Sequence, residues 1–566
     1  MKIKLKRIFS WLDDHFLLII SGFLIAFIPL YPKIPLFEAI PGYIVRVRLE
    51  DLLVLFASFV WLVQVLRHKV KWKTPIFALI LVYVATGVLS VLSAVFLTKT
   101  IPLELIHVGK TVLHLFRYLE YFSLFSITFS AIKSKKDANI LVNIFAFTVI
   151  AISIYGYGQK YYYWPVFSTM NREFSKGVVL YLTEHARVQS TFGGHYDLAA
   201  FLVISLNLVL AMAFKQKNKW LKAFYHGVQL LGLWLLIMTA SRTSFIAYLF
   251  GAISIIWLIA KEKTKIKEQL KWGLSRTALL VFVTLIMMLS FGADMSARFL
   301  HVLHGYPQAT AIYQNLNDYR KQAEKFVLVA VGLKERNIQP PQDGIGVGDL
   351  DKVLTPSDQR PIDQNPADVY VDVPITISVA TESADGTTYI VNVKQDRTWS
   401  ENALKYGLST AIRLDALWPN AIKGFLSNPL LGSGYATLNK ESVFHFTEAE
   451  STDNNFLRTL GETGLLGFIS FYGIVFLAIH LAYKFYRTKK GYASAISIGF
   501  IGASLGLLLN ATYIDVFAAS KVAFTYWALT GVMMAVFYLD SSQKQFKCQK
   551  LIEWIRSLKK HFSHEN

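Results

Sequence analysis

The chain has 566 residues, of which 54% are hydrophobic, 14% aromatic and only 17% charged. Soluble domains carry about 25% charged residues, so the composition excludes a disordered chain and argues against an ordinary soluble enzyme. Lys and Arg number 58 against 38 Asp and Glu, an excess that in a soluble protein points to nucleic acid. The single cysteine, Cys548, excludes an internal disulfide and a cysteine metal cluster.

A bilayer core needs about 20 mostly apolar residues in a helix. Twelve such segments are predicted, near residues 15–31, 51–66, 74–97, 104–130, 138–157, 196–214, 223–240, 243–260, 277–294, 464–483, 492–512 and 521–539. The second is short and the fourth carries charge. Met1 to Arg7 has the basic character of a signal-peptide start. No small-residue cleavage site follows it, so the first apolar run is read as a retained membrane helix. With a cytoplasmic N-terminus and alternating spans, the inner pieces are 1–14, 67–73, 131–137, 215–222, 261–276, 484–490 and 541–566. They hold 31 Lys and Arg against 7 Asp and Glu, whereas the remainder holds 27 against 31. The basic excess therefore sits on one side, as the positive-inside rule requires, and the nucleic-acid reading falls away. Clusters such as Arg67, Lys69, Lys71 and Lys73 serve as topology signals and contacts to anionic lipid.

The resulting organisation is an all-α polytopic membrane protein with both termini cytoplasmic. Membrane helices 1–9 occupy residues 1–294, a large extracytoplasmic loop spans 295–463, helices 10–12 occupy 464–540, and a basic tail follows at 541–566. In the loop, Ala297–Val331 reads as helical. Gln339-Pro340-Pro341, Gly344, Gly346 and Gly348 mark irregular chain. Val369–Val379 and Thr388–Val393, separated by Asp385-Gly386, predict a β-hairpin, with Pro374 placing the first strand at an edge. A helical pattern returns from Ser400 to Leu426. Gln543–Lys560 is basic and amphipathic, suited to the inner membrane surface.

Charge at membrane depth is costly, so each instance is a functional candidate. Arg187 lies in ARVQSTFGGHYDLAAFL, just before the sixth span. Arg242 lies in TASRTSF, where two spans join with almost no loop, and its guanidinium offers a donor fork suited to phosphate. Arg413 precedes Trp418-Pro419 and the Pro429 to Gly434 stretch. Helical spacing places Leu417, not Trp418, one turn beyond it, unless Pro419 breaks the helix. In HFTEAESTDNNFLRTLGETGLLGF, the groups His445, Glu448, Glu450 and Asp453 gather proton acceptors, any of which is a candidate general base. Asp453 is equally a candidate N-cap for a helix beginning at Asn454. Arg46, Arg48, Glu50 and Asp51 cluster at the start of the second span. Arg117 and Glu120 are spaced to pair within the fourth. Tyr161–Trp164 suit either an interfacial aromatic belt or stacking on sugar rings.

ARVQSTFGGHYDLAAFL, TASRTSF, RLDALWPNAIKGFLSNPLLGSGY and DNNFLRTLGETGLLGF, in that order, resemble the bacterial O-antigen ligase and O-antigen polymerase family. The resemblance covers roughly residues 180–250 and 410–475, and residues 335–400 read as an insertion. It implies a fold related to the C-type glycosyltransferases and transfer of a glycan from a polyprenyl-diphosphate donor, at the outer face of the bacterial cytoplasmic membrane. The acceptor would be a glycan or a lipid-linked unit, with no metal or other cofactor. It implies that Arg187 and Arg242, and less directly Arg413, hold the diphosphate, with Asn454 and Trp418 also at the substrate. Asp453, His445 and Glu450 are the candidate catalytic groups. Ligases carry histidine where this chain has Asp453, which leans the reading toward polymerase. The alternative is a transporter of a lipid or polysaccharide precursor, and a third reading is a membrane scaffold. A transporter would be expected to show inverted repeats, and none is visible.

Overall fold

Each of the twelve apolar runs folds as a helix, because a chain in hydrocarbon must satisfy its backbone N–H and C=O groups internally. The structure, a computed structural model, describes residues 2–39, 46–170, 174–183, 185–296, 319, 322, 341, 344–347, 375–382, 388–395, 401–402, 408–438, 452–488 and 491–540. The first nine helices are α1 (Lys2–Leu30), α2 (Leu49–Leu66), α3 (Pro75–Phe96), α4 (Leu105–Ala131), α5 (Lys135–Tyr162), α6 (His195–Lys215), α7 (Lys219–Met238), α8 (Arg242–Ala260) and α9 (Ile266–Phe291). After them come α10 (Trp418–Ser427), α11 (Asn455–Thr488), α12 (Tyr492–Asn510) and α13 (Ser520–Asp540). Among the described residues, eleven helices are long and apolar enough to cross a membrane, the make-up of a multi-pass membrane protein. The fourth predicted span, α4, carries Lys110, Arg117 and Glu120 and is not one of the eleven.

The chain divides into two units. The first comprises Met1–Ala85, Phe116–Asp349 and Ile469–Asn566; the second comprises Thr86–Leu115 and Leu350–Phe468. In the first unit, α6 is almost wholly buried and packs against α12, α8 and α7, while α1 packs on α5. Small residues allow this closeness. A Cβ on Gly251 of α8 would stand 2.4 Å from the carbonyl oxygen of Gly502 on α12. Helix α9 shows the opposite pattern, exposing Leu274, Leu279, Phe282 and Leu285, as a lipid-facing helix does. Two small sheets accompany these helices. Strands β1 (Pro35–Glu38) and β2 (Arg46–Arg48) pair antiparallel, and β3 (Leu180–Tyr181) pairs parallel with β4 (Ile345–Gly346).

In the second unit, the Asn428–Gly434 strap locks onto the first turns of α11. The N–H groups of Ser433 and Gly434 donate to the carbonyls of Gly461 and Glu462, each at 2.9 Å. Those of Leu465 and Leu466 donate back to Pro429 and Leu430 at 2.9 and 3.1 Å. These reciprocal bonds require α11 to break at Gly464, whose φ of 64° and ψ of −166° suit glycine alone. The Glu462 carboxylate is buried, accepts from the Ala436 N–H at 3.1 Å and pairs with Arg458 at 3.4 Å. The predicted hairpin is present as β5 (Ile375–Glu382) and β6 (Thr388–Gln395), in register from Ile375 opposite Gln395 to Glu382 opposite Thr388. The described part of its first strand begins at Ile375, and residues 369–374, Pro374 among them, lie outside the described residues. The predicted helix at 297–331 (apart from 319 and 322) and the tail at 543–560 lie outside the described residues.

Candidate functional site

Short connections make α6, α7 and α8 run up, down and up, so α6 and α8 begin at the same end of the first unit. Helix N-termini present partial positive charge, and here two of them lie at the same end of the unit. Gly194 caps α6 in extended conformation, and Ser241 precedes Arg242 at the start of α8. The loop carrying Arg187 is tied to this corner, since the Val188 N–H donates to the Met238 carbonyl at 3.2 Å. Its path is fixed by the buried Gln159, which donates to Ser190 O and Pro165 O at 2.8 Å, and by Ser190 Oγ, which donates to Ile152 O at 2.8 Å. The half-buried Arg187 meets Nε2 of buried His195, and its guanidinium lies 5.4 Å from the Tyr196 ring centroid. A guanidinium only donates, so Nε2 is the accepting nitrogen. Arg187 and Arg242 thus belong to adjoining segments, and His195 contacts Arg187.

Further cations stand in the same unit. Lys521, at the start of α13, is fully buried. Its ammonium donates to the carbonyls of Pro29 at 3.1 Å, Tyr31 at 2.6 Å and Thr191 at 2.7 Å, and it lies 4.7 Å from the Phe192 ring centroid. Three donors on three carbonyls make it a fastener between α13, the end of α1 and the Arg187 loop. Lys33 pairs with the fully buried Glu50 at 3.2 Å and also contacts Ser520. Burial pulls the Lys33 ammonium below its ordinary pKa, Arg48 adds to the effect and Glu50 opposes it. Burial likewise lowers Arg48. Asp51 accepts from the Arg48 N–H at 3.0 Å and pairs with Arg117, which reaches Glu120 at 3.0 Å, the pairing expected from their spacing. Arg46 pairs with Glu38 at 3.0 Å. Among the described residues, Glu50 Oε2 and Arg48 Nε are buried with no hydrogen-bond partner, the kind of atom that marks a place for a further polar group.

Sequence reasoning missed His195, Lys33 and Lys521. The signal was available for Lys521: a lysine at the edge of an apolar run is read as a span boundary, although charge at that depth warrants the opposite suspicion. Tyr162 and Trp164 are exposed, and Trp164 packs edge-on against Tyr155, with ring centroids 5.5 Å apart.

In the second unit, the structure revises several expectations. Arg413 is buried and ion-paired with Asp453 at 2.8 Å. Asp453 is not the cap of α11. That role falls to Asn454, whose side-chain oxygen accepts the Leu457 N–H at 3.0 Å, with the helix starting at Asn455. Asp453 instead adopts a left-handed φ of 52°. The segment Arg413–Leu417 is a π-helical turn closed by the Trp418 N–H on the Arg413 carbonyl. The wider turn swings Trp418 closer to the face of Arg413 than a regular α-helix would, and Pro419 then sits in the first turn of α10, where its missing N–H costs nothing. His445, Glu448 and Glu450 lie outside the described residues.

These assignments separate in an unfolding experiment. Asn454→Ala should cost about 1 kcal/mol through the lost cap. Asp453→Asn leaves the cap but strips buried Arg413 of its counter-ion. The expected loss is about 2 kcal/mol, below the range for a fully buried pair because the Asp453 carboxylate is 31% exposed. Denaturation of both purified variants in detergent measures the order, and a larger loss for Asn454→Ala would overturn it.

No protein-family model matches this chain, and no curated protein matches it.

Proposed function

We propose that the protein is a membrane glycosyltransferase that takes its glycan from a polyprenyl-diphosphate donor, at the outer face of a bacterial cytoplasmic membrane, as a member of the O-antigen polymerase and ligase group. The observation that carries this reading is the corner where Arg187 and Arg242 belong to adjoining segments at the shared N-terminal end of α6 and α8. Two guanidinium groups and two helix N-termini offer a diphosphate the donors it needs. A membrane-interface position suits a donor whose tail is a lipid.

In the reaction, an acceptor hydroxyl oxygen attacks the anomeric carbon. The bond from that carbon to the diphosphate oxygen breaks, and the electron pair leaves with the polyprenyl diphosphate. The hydroxyl proton passes to a base. Arg187 and Arg242 stabilise the charge that builds on the leaving group. Asp453 is a less suitable base than sequence spacing suggested, because its carboxylate is engaged with Arg413. Polymerisation is favoured over ligation, since Asp453 stands where ligases carry histidine. A transporter reading draws on the buried charges of the first unit; against it, Lys521 is held by three backbone carbonyls and is thereby fixed.

The deciding measurement is the surface-glycan profile of a strain lacking this protein, with lipid-linked intermediates examined alongside. Loss of long chains with single units still delivered is the expected result for a polymerase. Full-length glycan accumulating on its lipid carrier would instead mean a ligase. No change in either pool would end the glycosyl-transfer reading.

A further inference from the structure

At the other end of the first unit, where α6 ends and α5 and α12 begin, lies a cavity of about 410 Å³. It is separated from the Arg187 corner by the length of α6, roughly 30 Å for its 21 residues. Four lysines from two helix ends line it: Lys135 and Lys136 at the start of α5, and Lys215 and Lys217 at the end of α6. Asn139 and Gln216 add amide donors, and among the described residues no carboxylate is part of the lining. Two carboxylates lie close in the chain or in space: Asp137 holds backbone donors outside the lining, and Glu262 offsets the charge of one lining lysine. Asp137 accepts the N–H groups of Lys133 and Ser134 at 2.9 and 2.8 Å. Glu262 pairs with Lys215. The first turns of α5 and α12 add the positive ends of two helix dipoles, against the negative end that α6 brings with its last turn.

The α5 surface leading away from this cavity is mainly apolar and uncovered. Ile140, Phe147 and Ile154 are 48%, 60% and 55% exposed. Taken with Lys136, they fall at offsets of 4, 11 and 18 residues, which at about 100° per residue form one stripe along the helix. A cationic pocket thus opens at the foot of a mainly apolar track, in which Asn143 is the polar member and accepts from the Tyr225 hydroxyl at 2.7 Å, and Met212 and Ala495 add apolar lining.

We infer that this cavity binds the headgroup phosphate of an anionic phospholipid, whose acyl chain lies along the Ile140–Phe147–Ile154 stripe. A free anion would be served by the lysines alone; the exposed stripe is what a lipid adds. The inference stands independently of the glycosyl-transfer reading.

The test uses the full-length protein and native mass spectrometry in detergent, with phosphatidylglycerol and phosphatidylcholine titrated separately. The wild-type protein should retain one phosphatidylglycerol in preference to phosphatidylcholine. Lys135→Gln, Lys136→Gln and Lys217→Gln combined should weaken that retention on the order of tenfold or more, at roughly fivefold per lysine. The matching Lys→Arg variant, which keeps the charge, should retain it. Equal retention by the wild type and the glutamine variant would overturn the proposal. An equal loss on changing Lys263, Lys265 and Lys267 to Gln would also overturn it, because diffuse charge would then suffice. Thermal stabilisation by inorganic phosphate that disappears in the glutamine variant, with phosphatidylglycerol retention unchanged, would reassign the cavity to a soluble anion.

Discussion

Gly464→Ala is expected to cost about 3 kcal/mol or more and to release the Asn428–Gly434 strap from α11. Two effects add. Gly464 holds φ 64° and ψ −166°, a region that costs a residue with a Cβ about 1–3 kcal/mol. An added Cβ would also stand 2.4 Å from the carbonyl carbon of Leu430 and from the Leu431 nitrogen. That is a clash with backbone, so no rotamer change relieves it. Gly473 in the same helix provides the contrast, because a Cβ there meets nothing within 4 Å. Gly473→Ala should be neutral or stabilising by up to about 1 kcal/mol, the helix-propensity gain. Denaturant unfolding of both variants in the same detergent checks the pair. Equal stability would mean that the break in α11 is not needed.

On the proposed reaction, Arg187→Ala should lower transfer from a polyprenyl-diphosphate glycan by about 10²- to 10³-fold, the usual cost of removing one donor to developing charge. Arg242→Ala should act in the same direction. Arg187→Lys keeps the charge but loses the bidentate fork, so an intermediate loss is expected. The assay is single-turnover transfer in proteoliposomes with the purified, correctly inserted protein. A loss expressed only as a higher KM, with kcat unchanged, would mean that Arg187 contributes equally to ground state and transition state. Normal transfer by both alanine variants would remove the diphosphate role. His195 is the control for a positioning effect. If Arg187 acts only by holding the imidazole at Nε2, His195→Gln should reproduce the Arg187→Ala loss.

The helices were legible because their signal is local. An apolar run of about 20 residues must be helical in lipid whatever surrounds it, and eleven of the twelve predicted segments meet that standard in the folded chain. The fourth shows why the standard has an edge. Lys110, Arg117 and Glu120 dilute its hydropathy, yet it is a helix of 27 residues. The β-hairpin was legible for the same reason, through strand-forming residues either side of Asp385-Gly386. The corner proposed as the site was legible as two arginines at helix junctions. Spacing did not reveal that His195 faces Arg187, because the contact depends on how the loop enters α6.

Sequence alone determined the number and placement of the apolar helices, the side that collects basic residues and the positions where a charge needs explaining. All of these follow from composition along a short stretch of chain. Tertiary structure decided what each charge does. Lys521 finds the Pro29 carbonyl 492 residues away, and Arg413 finds Asp453 across a π-turn that helical spacing did not anticipate. A lysine ammonium takes any well-placed oxygen, and a guanidinium takes any carboxylate within reach. Their partners are therefore set by which helix ends the packing brings together, and no local pattern of residues carries that information.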